Sequence, residues 1–227
     1  MLSRCLLSSI DAARNDYLVE VADTPALLTE AFRLRHQVYC VERGFETSTT
    51  GRESDGFDDN ARHVLLRNRV TGQVLGTVRV VLPAPHGGIG LPIQQVCDHS
   101  LLREFPLHAA GEISRFALSK ERRAGTGEAG VFMRLGLMQG IVQTSRDAGL
   151  THWCAIMERS LLRLLQATAI HFHPVGPLVE FHGIRQPVQG CISTVLDRIR
   201  REANPVWGYI TLDGALWPAP VKELLAA

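Results

Sequence analysis

The chain has 227 residues, and its 45% hydrophobic and 21% charged content is typical of a globular protein with one large domain and an apolar core. The formal net charge is +1, so the overall charge gives no reason to expect nucleic acid as a partner. Five widely separated cysteines without a CxxC pair argue against a disulfide framework, and no apolar run is long enough to span a membrane. We therefore expect a cytoplasmic protein.

A helix is predicted at 24–41. Thr24 is an N-cap candidate, and a proline follows it at the first helical position. Phe32, Arg35 and Tyr39 recur at helical spacing, so Arg35 lies in the apolar stripe of this helix. Because a buried arginine requires an acidic partner, the pattern predicts an inward-facing carboxylate.

The rest of the chain alternates predicted strands and helices. Strands are expected at 62–68, 73–83, 111–119 and 152–157, and near 172–181 and 206–212. Helices are expected at 98–104, 130–148, 160–169 and 191–203, and a long polar loop at 42–61. This order predicts an α/β fold with a mixed central sheet and helices on both faces. We place the domain at 24–213, with an N-terminal extension at 1–23 and a C-terminal tail at 214–227.

A glycine-rich loop lies between the 111–119 strand and the 130–148 helix. It has the pattern Arg-x-x-Gly-x-Gly, and its candidate residues are Arg122, Arg123, Gly125 and Gly127. Glycines allow the backbone to approach an anion, and the following helix N-terminus offers free N–H groups. The expected anion is the phosphate of phosphopantetheine or the pyrophosphate of coenzyme A; the alternative is a solvated turn.

This strand, loop and helix resemble the acyl-CoA signature of the GNAT superfamily. Three further segments resemble acyl-homoserine-lactone (autoinducer) synthases: Leu-Arg-His-Gln-Val-Tyr at 34–39, Glu-Ser-Asp-Gly-Phe-Asp at 53–58 and Glu-Ile-Ser-Arg-Phe at 112–116. Segments 38–42, 58–63, 157–161 and 181–187 are similar to acyltransferases associated with PEP-CTERM/exosortase systems. N-acyl amino acid synthases share the same plan. The resemblance implies the GNAT fold, with a splayed pair of strands.

Six charged residues stand out in the matched segments: Arg35, Asp55, Asp58, Arg79, Glu112 and Arg115. Three acids and three bases can be buried together only as a connected network. The resemblance implies that Asp55 and Asp58 anchor the 42–61 loop onto core arginines beside an acceptor pocket; a purely architectural cluster is the alternative. His63 is assigned to the same pocket, with a half-buried strand histidine as the alternative.

Glu112 and Arg115 are the candidate catalytic residues. Glu112 is assigned to activate an amine acceptor, since a carboxylate can accept the proton that the amine loses. We expect Arg115 to lower the pKa of Glu112, so that Glu112 orients the amine more than it deprotonates it. A regular strand would send the two side chains to opposite faces. We therefore predict a β-bulge, as the GNAT resemblance also implies, which brings both to one face and exposes a backbone N–H as an oxyanion donor.

Other candidates are weaker. Cys154 is interpreted as a small buried hydrophobe, with a transient acyl acceptor as the alternative. The histidines at 152, 171, 173 and 182 predict no metal site, because no carboxylate or cysteine pattern completes one. His182 and Arg185 are assigned to the acceptor side or to closure of the sheet. Apolar residues that serve either as core or as an acyl tunnel are Leu161, Leu162, Leu164, Leu165 and Phe172.

The sequence thus predicts an N-acyltransferase. The donor is an acyl group, expected to be fatty, on acyl carrier protein or coenzyme A, with the thioester as co-substrate and no bound cofactor. The acceptor is a small amine such as an amino acid, and Arg122 and Arg123 contact the phosphate or acidic surface of the carrier. The alternatives are an S-adenosylmethionine-dependent acyl-homoserine-lactone synthase and a catalytically silent module that binds an acyl carrier. The sequence does not define the oligomeric state.

Overall fold

The computed structural model describes residues 10, 12–84, 88–121 and 128–219. Within these residues, eight strands form one sheet in the order β1-β2-β3-β4-β5-β8-β6, with β7 paired to β8. The strands are β1 Tyr17–Val21, β2 Ala61–Asn68, β3 Val74–Val81, β4 Ala110–Leu118, β5 His152–Glu158, β6 His173–Pro174, β7 Val179–Glu180 and β8 Ile184–Cys191. Among the described strands, β4 and β5 are the one parallel pair and the other neighbours are antiparallel, so the sheet is mixed as predicted.

Helices cover both faces of the sheet, which confirms the predicted α/β class. They are α1 Pro25–Arg35, α2 Glu128–Asp147, α3 Arg159–Gln166, α4 Ile192–Glu202 and α5 Asn204–Thr211. Strand β2 alternates between the two faces. Its Val64 and Leu66 join the large core beneath α2, whereas Leu65 joins a smaller core beneath α1. Helix α2 approaches β2 closely, because a Cβ at Gly140 would clash with the Val64 side chain.

Helix α1 begins and continues as its sequence predicts. The Thr24 hydroxyl accepts a hydrogen bond from the backbone N–H of Leu27, and Pro25 occupies the first helical position. After Arg35 the helix continues as a π-helix, His36–Glu42. The π-helix widens each turn, and such segments occur frequently at functional sites.

One predicted element is wrong, one is only partly formed, and strands β1 and β8 are not predicted from the sequence. Residues 206–212 form most of helix α5, because Pro205 is a helix-start residue and the apolar run packs against α2, where the rings of Tyr209 and Phe132 lie 6.3 Å apart. The stretch 172–181 holds only the two-residue strands β6 and β7. Strand β8 was missed because a proline and a glycine interrupt its pattern. Strand β1 pairs with β2, so this part of the predicted N-terminal extension belongs to the sheet.

The predicted bulge and the predicted splay are both present in β4. Thr77 of β3 opposes Ala117, but Arg79 opposes Ser114, so two β4 residues lie opposite one β3 residue. Arg115 is in this bulge and adopts a φ of 50°. On its other edge, β4 pairs with β5 only from Ala110 to Glu112, after which the two strands part. Within the described residues, no helix is long and apolar enough to cross a bilayer.

Candidate active site

A cleft of about 300 Å³ opens where β4 and β5 part. One wall is the end of β4, and the other consists of the end of β5 and helix α3. The π-helix, the following loop and the β7–β8 turn cover one side. Residues that line the cleft include Tyr39, Phe45, Glu46, Asp55, Arg79, Glu112, Arg115, Phe116, Met157, Leu161, Leu164, His182 and Arg185.

Three arginines and three carboxylates form a closed ring beside the cleft. In order around the ring they are Arg35, Glu53, Arg115, Asp55, Arg79 and Asp58. Each arginine bridges two carboxylates, and the six shortest nitrogen–oxygen distances lie between 2.5 and 2.9 Å. Equal numbers of opposite charges allow such a cluster to be buried. The carboxylates all come from the loop before β2, so the ring ties that loop to α1, β3 and β4.

The ring extends from the core to the cleft. The Arg35 side chain is fully buried, whereas that of Asp55 is 28% exposed. Arg115 reaches the cleft and also stacks over the Tyr39 ring, 5.4 Å from its centroid. Burial alone would raise the pKa of Asp58, but the hydrogen bond and charge of Arg35, with Arg79, outweigh it and lower that pKa to about 2. The acids of the ring are therefore ionised at neutral pH.

Glu112 is not part of the ring, contrary to the prediction. Its place is taken by Glu53, which lies in the matched 53–58 segment but was not singled out among its acids. Glu112 is 1% exposed and accepts a 2.6 Å hydrogen bond from the backbone N–H of Ile93. Burial raises its pKa to about 8, against the opposing effects of this hydrogen bond and of Arg79. The expectation that Arg115 lowers this pKa is wrong, because the Arg115 guanidinium is held by Glu53 and Asp55.

His63 does not line the cleft, so its assignment to the acceptor pocket is corrected. It is 1% exposed and lies behind the ring, 3.5 Å from Asp58 and edge-on to the Phe32 ring. Burial and the nearby Arg35 lower the pKa of His63 to about 4. This histidine is therefore neutral and forms part of the packing beneath the charged ring.

The remaining candidates divide between core and cleft. Cys154 is fully buried, 4.0 Å from Glu112, and burial raises its pKa well above the ordinary value, as expected for a small core residue. Leu161 and Leu164 line the cleft, while Leu165 and Phe172 are core. Arg122, Arg123, Gly125 and Gly127 lie outside the described residues. No cluster within the described ranges has the donors to hold a metal ion.

The turn between β7 and β8 covers the cleft near the ring, because Glu46 lies between His182 of the turn and Arg115 of the ring. The His182 ring stacks on Phe45 with centroids 5.8 Å apart, and its Nε2 lies 3.3 Å from Glu46. Arg185 donates to Glu158 at the end of β5 at 2.8 Å. His182 and Arg185 both line the cleft, and their assignment to the acceptor side or to closure of the sheet stays a prediction.

Comparison with known proteins agrees with this geometry. Residues 34–132 match the family model described as an acetyltransferase (GNAT) domain. TofI, solved in a ternary complex with an inhibitor and MTA, superimposes with a TM-score of 0.64 at 21% identity over 88% of this chain and 99% of TofI. The AHL synthase LasI gives a TM-score of 0.57 at 20% identity over 76% of this chain and 87% of LasI.

FeeM, an N-acyl amino acid synthase from uncultured soil microbes, gives a TM-score of 0.61 at 13% identity over 80% of this chain and 94% of FeeM. No curated protein matches the sequence significantly. At these identities, the likeness to solved structures shows the fold. The chain therefore has the fold of these structures, and its residues 34–132 match a GNAT acetyltransferase domain.

Proposed function

We propose that this protein is an N-acyltransferase that moves an acyl group from an acyl carrier protein or coenzyme A thioester to a small amine such as an amino acid. The observation that carries the proposal is the parting of β4 and β5 after Glu112 and Cys154. A parted strand has backbone N–H and C=O groups without a strand partner on that edge. An extended pantetheine arm, which carries two amides, can lie in the cleft and bind those groups.

The bulge at Arg115 supports the chemistry of acyl transfer. When an amine nitrogen bonds to the thioester carbonyl carbon, negative charge develops on the carbonyl oxygen. A backbone N–H at the parted edge of β4 can stabilise that oxyanion. The C–S bond then breaks, and the carrier thiolate leaves.

Glu112 is proposed to handle the proton. In its ionised form it accepts the proton that the attacking amine loses, directly or through one water, and it returns the proton to the departing thiolate. A general base acts best when its pKa lies near the working pH, and the raised pKa of Glu112, about 8, fits that requirement. Glu112 lines the cleft at the point where the strands part.

Arg35, Asp55, Asp58, Arg79 and Arg115 are proposed to shape the acceptor side rather than to react. Asp55, Arg79 and Arg115 present the cleft-facing part of the ring, and Glu46 adds a further carboxylate 3.9 Å from Arg115. For the donor, we keep Arg122, Arg123, Gly125 and Gly127 as the proposed phosphate site. They precede α2, a helix of 20 residues, and helix N-termini bind phosphate.

The test is acyl transfer by the purified protein. Acyl-CoA and acyl carrier protein thioesters of several chain lengths are incubated with a mixture of amino acids and simple amines. Thiol release is followed with a chromogenic reagent, and N-acyl products are identified by mass spectrometry. A separate arm contains S-adenosylmethionine. Lactone formation there would favour an autoinducer synthase, and no product from any combination would favour a silent carrier-binding module.

A further inference from the structure

Two adjacent residues at the end of the π-helix contact the ends of both splayed strands. Glu42 accepts hydrogen bonds from the Ser119 hydroxyl at 2.7 Å and from the Lys120 backbone N–H at 2.9 Å, immediately after β4. Arg43 donates to Glu158, the last residue of β5, at 2.6 Å. Residues 42–46, which we call the bridging segment, thus connect two strand ends that have no hydrogen bonds to each other.

The bridging segment is itself held in place. The backbone N–H of Phe45 donates to the Tyr39 carbonyl at 2.8 Å, which fixes the turn after the π-helix. The guanidinium groups of Arg43 and Arg185 both lie near the Phe45 ring, 5.5 and 5.8 Å from its centroid. These contacts make the segment a defined connection between β4 and the β5–β8 side of the cleft.

Paired strands are kept about 4.8 Å apart by their backbone hydrogen bonds. Once β4 and β5 part, that constraint is lost, and other contacts must determine the width of the cleft. We propose that Glu42 and Arg43 are positioning residues that hold the ends of β4 and β5 at the separation that a bound acyl thioester requires. The effect on catalysis rests on the proposed function. The contacts of Glu42 and Arg43 with the two strand ends do not depend on that function.

The two contacts differ in strength. Glu42 accepts hydrogen bonds from the Lys120 N–H and the Ser119 hydroxyl, and although burial would raise its pKa, these contacts lower it. The Arg43–Glu158 pair has side chains that are 35% and 32% exposed, so salt screens it. We therefore expect the cleft to widen on the β5 side when the ionic strength rises or when Arg43 is replaced.

The experiment compares Arg43→Gln, Glu42→Ala and Glu42→Gln with a matched control, Arg198→Gln. Arg198 pairs with Glu202 on α4, which does not line the cleft. We expect kcat/KM for acyl transfer to fall about tenfold or more in Arg43→Gln and Glu42→Ala, since a misplacement of about 1 Å costs on the order of 100-fold. Glu42→Gln keeps an acceptor oxygen and should restore part of the loss. The control should match the wild type.

A second measurement separates positioning from general damage. In a widened cleft, water competes with the amine, so the ratio of thioester hydrolysis to N-acyl product should rise in Arg43→Gln and in wild type at high salt. Hydrogen exchange of the peptide covering 37–47 should also be faster in Arg43→Gln than in the control. If the wild type acylates no amine, the proposed function fails, and hydrogen exchange alone decides the inference. Unchanged exchange in Arg43→Gln, or an unchanged hydrolysis ratio in an active enzyme, would overturn it.

Discussion

The side chain of Glu112 accepts a hydrogen bond from the backbone N–H of Ile93 at 2.6 Å, at the last β4 residue that still pairs with β5. This contact holds a carboxyl group in the core at the apex of the cleft. Because burial dominates its environment, its pKa rises to about 8, and at neutral pH most molecules carry it protonated. Both the reaction and the stability of the protein should depend on this group.

The rate of acyl transfer should rise with pH through about 8 and then level, because the ionised form of Glu112 accepts the proton. Hydroxylamine is a suitable acceptor, since it is already unprotonated across this range. Glu112→Gln should lower kcat by about 10² to 10⁴ and remove the rise. A Glu112→Gln enzyme that keeps both its rate and its pH profile would exclude Glu112 from proton transfer.

Stability should show the opposite dependence on pH. Between about pH 4.5 and 8 the folded protein binds the Glu112 proton and the unfolded chain does not, so the free energy of unfolding falls as pH rises. At about 1.4 kcal/mol per pKa unit, the loss approaches 5 kcal/mol by pH 8. Glu112→Gln, which keeps an acceptor for Ile93, should remove this dependence. Urea denaturation at pH 5 and 8.5 measures the change in the free energy of unfolding between the two pH values, and Glu104→Gln, at an exposed position, is the control. The same change in the wild type and in Glu112→Gln would contradict the prediction.

Replacing an arginine of the ring should lower the free energy of unfolding more than replacing a neighbouring arginine on the same helix. Arg35→Met leaves Glu53 and Asp58 buried without their shared partner, and we expect a loss of about 3–5 kcal/mol in the free energy of unfolding. Arg33→Met, on the exposed face of α1, should cost less than about 0.5 kcal/mol. Similar denaturation midpoints for the two variants would show that the ring contributes little to stability.

The bulge at Arg115 could be predicted from the sequence, because a regular strand would place Glu112 and Arg115 on opposite faces of the sheet. Glu112 and Arg115 could reach one face only through a bulge, and the structure has it. The sequence predicts that Arg35 pairs with a carboxylate, but it does not identify which acidic residue provides that carboxylate. Glu53 and Glu112 are the same residue type, and only the path of the 42–61 loop decides which of them meets the arginines.

Elements whose local sequence is ambiguous could not be predicted, because tertiary packing decides them. The residues of α5 are mostly β-formers, yet burial against α2 makes them helical. Strand β1 is a five-residue edge strand whose partner, β2, lies more than 40 residues later, so nothing nearby in sequence marks its pairing. The contacts of Glu42 and Arg43 span 78 and 115 residues and depend on the same long-range geometry.

The protein itself should not become acylated during the reaction. Cys154 lies 4.0 Å from Glu112, a placement that could suggest a thiol nucleophile with an adjacent base. However, burial and the neighbouring Glu112 raise the pKa of this thiol well above its ordinary value, so thiolate is scarce, and the side chain is fully buried. We therefore expect Cys154→Ala to keep kcat within about threefold, since direct attack by the amine needs no enzyme nucleophile. Intact-protein mass spectrometry after incubation with acyl-CoA, without acceptor, should show no acyl adduct; an adduct that disappears in Cys154→Ala would establish a covalent intermediate instead.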